Sequence, residues 1–185
     1  MIPGLRYVPG YLDPATQDAL LAAVDDRPWR EVGERRMQIY GYSYDFRKGG
    51  AYRVEDLPAW AQTVAEQLQR DGLMRDFADQ LIVNDYAAGR GIRPHVDAPL
   101  FTDTIVSISL GSTCVMEFTT ESGAREEHFL EPMSALVIAG EARSKWKHAI
   151  PARTHVSWLG RDWPRARRVS LTFRKMLLQD TPPGG

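Results

Sequence analysis

Residues 167–177 read RRVSLTFRKML. On extended backbone, successive side chains point to opposite faces. Arg168, Ser170, Thr172 and Arg174 then share one face, and Val169, Leu171 and Phe173 share the other. The apolar face asks for a core. If the polar face also points inward, its two guanidinium groups need an anionic partner, because an unpaired buried charge is expensive.

The same two-residue period runs upstream. DQLIVNDY (79–86), TIVSISL (104–110), TCVMEFTT (113–120), EEHFLE (126–131), SALVIAG (134–140) and RTHVSWL (153–159) are short runs rich in β-branched and aromatic residues. Gly89, Gly111, Gly123 and Pro132 separate them as turn residues. With 167–177 they make seven strands in about a hundred residues, the density of a sandwich, jelly roll or barrel. Ahead of them the period is helical. In 13–25 (DPATQDALLAAVD), Asp13 can cap, Pro14 suits the first helical position, and Ala19, Leu20, Ala23 and Val24 fall on one face. A second helix is expected over 57–70, where Trp60, Val64 and Leu68 recur every fourth residue and Gly72 follows. The expected class is α+β, mainly β, with the helices covering one outer face of the β core.

At 185 residues, with 43% hydrophobic and 25% charged side chains, the chain suits one globular domain with a sizeable core. The lone Cys114 excludes an internal disulfide and reads as a small buried hydrophobe. No apolar run approaches bilayer length, and MIPGLRYVPGYL (1–12) lacks the basic-then-apolar order of a secretory signal. A cytoplasmic, monomeric protein without a membrane partner is expected. The net charge of −1 hides an uneven distribution. Residues 30–53 carry six basic and three acidic side chains, and 143–168 carry eight basic ones against Asp162 alone. These segments either meet as a face for a polyanion or are solvated and scattered.

In RPHVDAPL (93–100), His95 and Asp97 lie two apart and can reach one ion. An imidazole and a carboxylate suit Fe(II), and a second histidine would complete a facial triad that leaves positions open for a co-substrate and dioxygen. The remaining histidines are His128, His148 and His155. His148 is the expected ligand, because it follows the buried-looking SALVIAG and precedes another strand. The two arginines of 168–174 supply a reason for a dianionic co-substrate. 2-Oxoglutarate carries two carboxylates, and guanidinium matches a carboxylate bidentately. Fe(II), one Asp and that dianion leave one net negative charge for Arg168 and Arg174 to meet.

Taken together these residues resemble the AlkB family of nucleic-acid oxygenases. The resemblance covers most of residues 80–178. It rests on Asn84-x-Tyr86, His95-x-Asp97, IVSISLGS (105–112), His148, and the closing set Arg168, Ser170, Thr172 and Arg174. It implies a double-stranded β-helix, or jelly roll, over 80–178. Residues 1–79 would supply helices and a nucleotide-recognition lid within a single domain, 1–185. It implies that His95, Asp97 and His148 hold Fe(II), that Arg168 and Tyr86 hold the distal carboxylate of 2-oxoglutarate, and that Asn84 and Arg174 bind near its chelating end. Ser170 and Thr172 complete the co-substrate motif. The implied chemistry couples decarboxylation of 2-oxoglutarate to oxidation of a substrate C–H bond, here the oxidative demethylation of alkylated bases in DNA or RNA. GYSYDF (41–46), GEARSKWKHAI (140–150) and SLTFRK (170–175) look like the AlkB-type domain of the enzyme that hydroxylates a modified wobble uridine in tRNA, which makes base hydroxylation an alternative. A non-catalytic nucleic-acid-binding jelly roll is a third reading, opposed by the intact ligand and arginine sets. Two departures stand out: HVDAPLF (95–101) lacks the acids that many demethylating members carry after H-x-D, and Ser170 replaces their common asparagine.

In RRMQIYGYSYDFRK (35–48), Tyr40, Tyr42 and Tyr44 alternate beside Arg35, Arg36, Arg47 and Lys48. If the segment is extended, all three rings share one face. They could stack on bases while cations such as Arg36 meet phosphates, or they could form a cross-strand aromatic cluster against the core.

Overall fold

The computed structural model describes residues 1–45 and 50–177. Arg47 and Lys48, expected beside the tyrosines, lie outside the described residues, as does the tail 178–185.

The chain opens with β1 (Leu5–Val8), α1 (Pro14–Asp25), β2 (Arg30–Val32), β3 (Arg35–Tyr40) and the hairpin strands β4 (Tyr42–Asp45) and β5 (Gly50–Arg53). It continues through α2 (Ala59–Arg70), β6 (Gln80–Tyr86), β7 (Ile92–His95), β8 (Thr104–Gly111), β9 (Cys114–Thr119), β10 (Arg125–Leu130) and β11 (Ala135–Ala139). The last elements are α3 (Gly140–Ser144), β12 (Lys147–Ile150), the hairpin β13 (His155–Trp158) and β14 (Arg161–Pro164), and β15 (Arg168–Arg174).

Seven strands form the larger sheet in the order β1-β11-β8-β15-β6-β3-β2, and four form the smaller one, β10-β9-β12-β7. The strand pairings are antiparallel. This is the jelly roll. β15, with which the sequence reading began, is the central strand of the larger sheet, paired to β6 on one side and β8 on the other. Its Val169, Leu171 and Phe173 pack with Val106, Ile108 and Val83 against Leu20 and Val24 of α1 and Val64 and Leu68 of α2. The helices therefore cover the outer face, and the alternate residues of β15 look into the space between the sheets. A second cluster, built from Tyr86, Met116, Phe118, Leu136 and Ile150, fills part of that space.

The start of α1 follows the expected cap. Asp13 caps α1 by accepting from the Thr16 amide at 2.9 Å, and Pro14 occupies its first turn. α2 starts at Ala59, two residues later than the pattern suggested, because Pro58 holds extended backbone at the N-cap.

Two expectations need correction. Residues 1–79 are not only helices and lid: β1, β2 and β3 are strands of the larger sheet. Strands β7, β12 and β14 also went unread in the sequence. β7 contains Pro94, which an edge strand tolerates; β12 and β14 are only four residues long.

The second correction concerns the tyrosines. Gly41 interrupts their alternation with a φ of +79°. Tyr40 stays in the larger sheet opposite Leu81, while Tyr42 begins the separate β4–β5 hairpin. Tyr40 is buried on the helical side, edge-on to Trp60, with its hydroxyl donating to Gln38. It shares no face with Tyr42 and Tyr44 and faces no ligand.

A Cβ on Gly41 would lie 1.8 Å from the Asp79 carbonyl oxygen, whereas one on Gly33, also at positive φ, would meet open space. Gly33→Ala is expected to cost about 1–2 kcal/mol from backbone strain alone, and Gly41→Ala clearly more. Urea midpoints of the two variants measure the difference; equal midpoints would contradict the close approach at Gly41.

Candidate metal centre and co-substrate pocket

β7 and β12 are neighbours in the smaller sheet, and their register sets His95 directly opposite His148. Asp97 follows two residues after His95, just beyond the end of β7. The two imidazole rings lie 4.3 Å apart between centroids, and His148 Nε2 is 3.5 Å from Asp97 Oδ2. One ligand atom from each of the three residues fits within 4.8 Å of the others, and among the described residues no other His, Cys, Asp and Glu group does this. His128 instead stands edge-on to Phe118, and His155 lies on the β13–β14 hairpin.

The electrostatics suit a cation. Burial lowers the His148 imidazole to about 4, so it is neutral at physiological pH with a lone pair available. Burial works to raise the Asp97 carboxyl, but Arg174 and the two histidines outweigh it and hold the group below its ordinary value. His95 Nδ1 lies 2.8 Å from the Arg93 carbonyl, which fixes this nitrogen as the donor and leaves Nε2 free. Two imidazoles and one carboxylate form the donor set that Fe(II) takes in a facial triad.

The three residues open onto a cavity of about 520 Å³ between the sheets. Arg168, Ser170, Thr172 and Arg174 line it from β15, and Asn84 and Tyr86 line it from β6. All six residues of the expected co-substrate motif are therefore in one cavity with the three of the metal set. Arg174 pairs with Asp97 Oδ1 and lies over the Phe101 ring. Arg168 sits at the other end of the strand and is 1% exposed. Its Nη2 donates to Ser109 Oγ at 2.8 Å and its guanidinium lies over Tyr86, but its Nε and Nη1 have no partner among the described residues. Buried charged donors without acceptors fit an incoming carboxylate. Burial raises the Tyr86 phenol, against the pull of Arg168 and Arg35, so it enters as a neutral donor.

Tyr42 and Tyr44 line the same cavity. Arg36 does not. It points to the opposite face of β3, where it pairs with Asp85 and lies over Trp29. Its neighbour Arg35 is the cavity residue, because β3 alternates and its inward set is Arg35, Met37 and Ile39. The basic side chains of 143–168 are also largely paired within the chain. Lys145, Lys147, Arg153 and Arg167 pair with Glu141, Glu121, Glu117 and Asp25, and Arg165 donates to the carbonyls of Arg90, Pro151 and Arg153.

Arg143 was hidden within that segment. It is 9% exposed and donates to the carbonyls of Ala98, Phe101 and Thr102, the loop that leaves Asp97. Local charge counting could not separate it from solvated neighbours; an arginine in a one-turn helix between two buried runs was the available signal.

Residues 27–174 match the family model described as the 2OG-Fe(II) oxygenase superfamily. The chain belongs to that superfamily and is an oxidoreductase using Fe(II), 2-oxoglutarate and dioxygen. Its relatives are AlkB homologues. It is 34% identical to the alkylated DNA repair protein ALKBH8 homolog of Arabidopsis thaliana, over 95% of this chain and 59% of that one. It is 31% identical to the tRNA (carboxymethyluridine(34)-5-O)-methyltransferase alkbh8 of Xenopus tropicalis, over 82% of this chain and 26% of that one. The chain thus spans about three fifths and one quarter of these two relatives. The solved structure of OsALKBH1 shares the fold, with a TM-score of 0.74 at 16% identity, covering 95% of this chain and 98% of that one.

Arg143→Met should loosen the loop behind Asp97 and weaken divalent-metal binding about tenfold. Calorimetric titration with Mn(II) measures it, and unchanged affinity would show that the loop holds without Arg143.

Proposed function

We propose that this protein oxidises an alkyl group on a nucleic-acid base, with removal of an N-methyl group from an alkylated base in DNA or RNA as the expected outcome. The observation that carries this reading is the shared cavity, in which the His95–Asp97–His148 set, the two arginines of β15 and the aromatic pair Tyr42 and Tyr44 face one another. Its volume lies within the usual range for a small-molecule site. Iron, when bound, supplies activation of dioxygen. His95, Asp97 and His148 would hold it, and Arg174, paired with Asp97, keeps that carboxylate ionised and oriented. Arg168, with Tyr86, would fix the distal carboxylate of 2-oxoglutarate, so that the keto acid presents its other end to the metal. Tyr42 and Tyr44 would stack on the base and hold its alkyl group towards the triad. Ile92, Val96 and Phe101 restrict water around the reacting carbon. Hydroxylation of an N-methyl carbon gives a hydroxymethyl group that leaves as formaldehyde: the C–N bond breaks with its electron pair to the ring nitrogen, and the hydroxyl gives up its proton as the C=O bond forms.

One observation favours a second reading. Among the described residues Asp97 is the only acid lining the cavity, against Arg35, Arg168 and Arg174. Such a lining repels the positive charge of many alkylated bases and accepts a neutral one. A neutral modified base in tRNA, hydroxylated on carbon and retaining the hydroxyl, fits this electrostatics, and one relative is named for action on tRNA.

Succinate should form from 2-oxoglutarate in the presence of Fe(II), and His95→Ala should abolish it. Arg168→Met should keep metal binding and weaken 2-oxoglutarate by about 10- to 100-fold, the range for losing hydrogen bonds to a charged group. Mass spectrometry of methylated oligonucleotides and of bulk tRNA separates the two readings. Loss of one CH₂ supports demethylation and gain of one oxygen supports hydroxylation; neither change on any nucleic acid would overturn the nucleic-acid assignment.

A further inference from the structure

Arg35 stands in the sequence only as one of several cations beside the tyrosines, yet it faces the cavity as Arg168 and Arg174 do. It is the first residue of β3 and is half-buried. Its Nε–H donates to Asn84 Oδ1 at 2.9 Å, and among the described residues it has no carboxylate partner. Asn84 is 8% exposed, lies opposite Ser170 on β15 and Met37 on β3, and faces the cavity.

A primary amide offers an acceptor at one end and two donors at the other. Left free, Asn84 could turn either end towards a ligand. An acceptor presented to a carboxylate would repel it; a donor would bind it. The Arg35 hydrogen bond removes this choice, because guanidinium can only donate and so must engage Oδ1. The Nδ2 donors are then left for the cavity, where no protein partner among the described residues takes them. The field of Arg35 also reaches Tyr86, where it acts with Arg168 against the effect of burial.

The opposite face of the sheet holds Arg35 in place. Arg36, on β3, and Arg167, immediately before β15, both pair with Asp85, and both guanidinium groups lie over Trp29, at 5.1 and 5.9 Å from the ring centroid. Asp85 is 4% exposed and follows Asn84 on β6. This outward clamp ties the start of β3 and the start of β15 to one point on β6. It leaves Arg35 and Arg168, the inward neighbours of the two clamping arginines, aimed into the cavity.

We propose that Arg35 is a positioning residue for the co-substrate: by engaging Asn84 Oδ1 it turns the Asn84 amide donors towards a carboxylate of 2-oxoglutarate. The inference rests on the assignment of this cavity to 2-oxoglutarate. It accounts for an arginine that pairs with no carboxylate among the described residues, in a cavity whose charge is already met by Arg168 and Arg174.

The test is calorimetric titration of 2-oxoglutarate into protein loaded with Mn(II), which reads binding without turnover. Arg35→Met keeps the apolar stem and should weaken 2-oxoglutarate about tenfold, as expected for losing a hydrogen bond from a charged donor. Arg35→Lys restores a donor without the planar fork and should recover roughly half of that loss on a logarithmic scale. In an Asn84→Ala background, Arg35→Met should cause less than about a twofold further change, because its partner is gone. Metal affinity and the urea midpoint of each variant report that the fold and the triad persist. Wild-type affinity in Arg35→Met, or an undiminished tenfold loss in the Asn84→Ala background, would overturn the positioning role while leaving the cavity assignment intact. Failure of the wild-type protein to bind 2-oxoglutarate would overturn the assignment and Arg35's role together.

Discussion

The Arg168 guanidinium is 1% exposed, with Ser109 as its hydrogen-bond acceptor and no carboxylate beside it among the described residues. Burying a guanidinium in this way costs several kcal/mol unless an anion joins it. The fold accepts that cost at the centre of its larger sheet, where β15 has neighbours on both edges and helices behind it. The apolar half of β15 ties the sheet to α1 and α2. The polar half is thereby held rigidly towards the smaller sheet, where the triad stands. A single strand with two chemically opposite faces thus links the core to the site, and its register places Arg174 beside Asp97 and Arg168 at the far end.

The smaller sheet contributes the metal set by equally local means. The antiparallel register of β7 and β12 brings His95 and His148 together although 52 residues separate them in the chain. Asp97 joins them through the two-residue spacing, and Arg143 secures the loop beyond it. These elements make the site stiff. The three candidate metal ligands come from one strand pair and its exit loop, and the two candidate co-substrate arginines come from one strand of the facing sheet.

How much of this was legible in the sequence depended on whether one period persisted. RRVSLTFR alternates without interruption, so the residues of its two faces could be assigned one by one, and His95-x-Asp97 followed the same rule. Legibility ended where the period broke or the interaction was long-range. Gly41 resets the alternation between Tyr40 and Tyr42, which sent Tyr40 into the core although its neighbours in sequence line the cavity. Arg35 and Arg36 are adjacent and chemically identical; only the pairing of β3 with β6 decides which one faces inward. The basic segment 143–168 suggested a polyanion face, but its partners Glu117, Asp25 and the loop carbonyls lie far away in the chain. β7 and β12 were too short, and β7 too marked by Pro94, to register as strands.

A metal on His95, Asp97 and His148 and a dicarboxylate anchored on Arg168 should share one cavity. Anaerobic crystals grown with Mn(II) and 2-oxoglutarate test it directly, through the anomalous signal of the metal and the density of the keto acid. The account predicts one strong anomalous peak among the three side chains, with the distal carboxylate of 2-oxoglutarate on the Arg168 guanidinium. A metal bound elsewhere, or a keto acid that leaves Arg168 without an anionic partner, would contradict it.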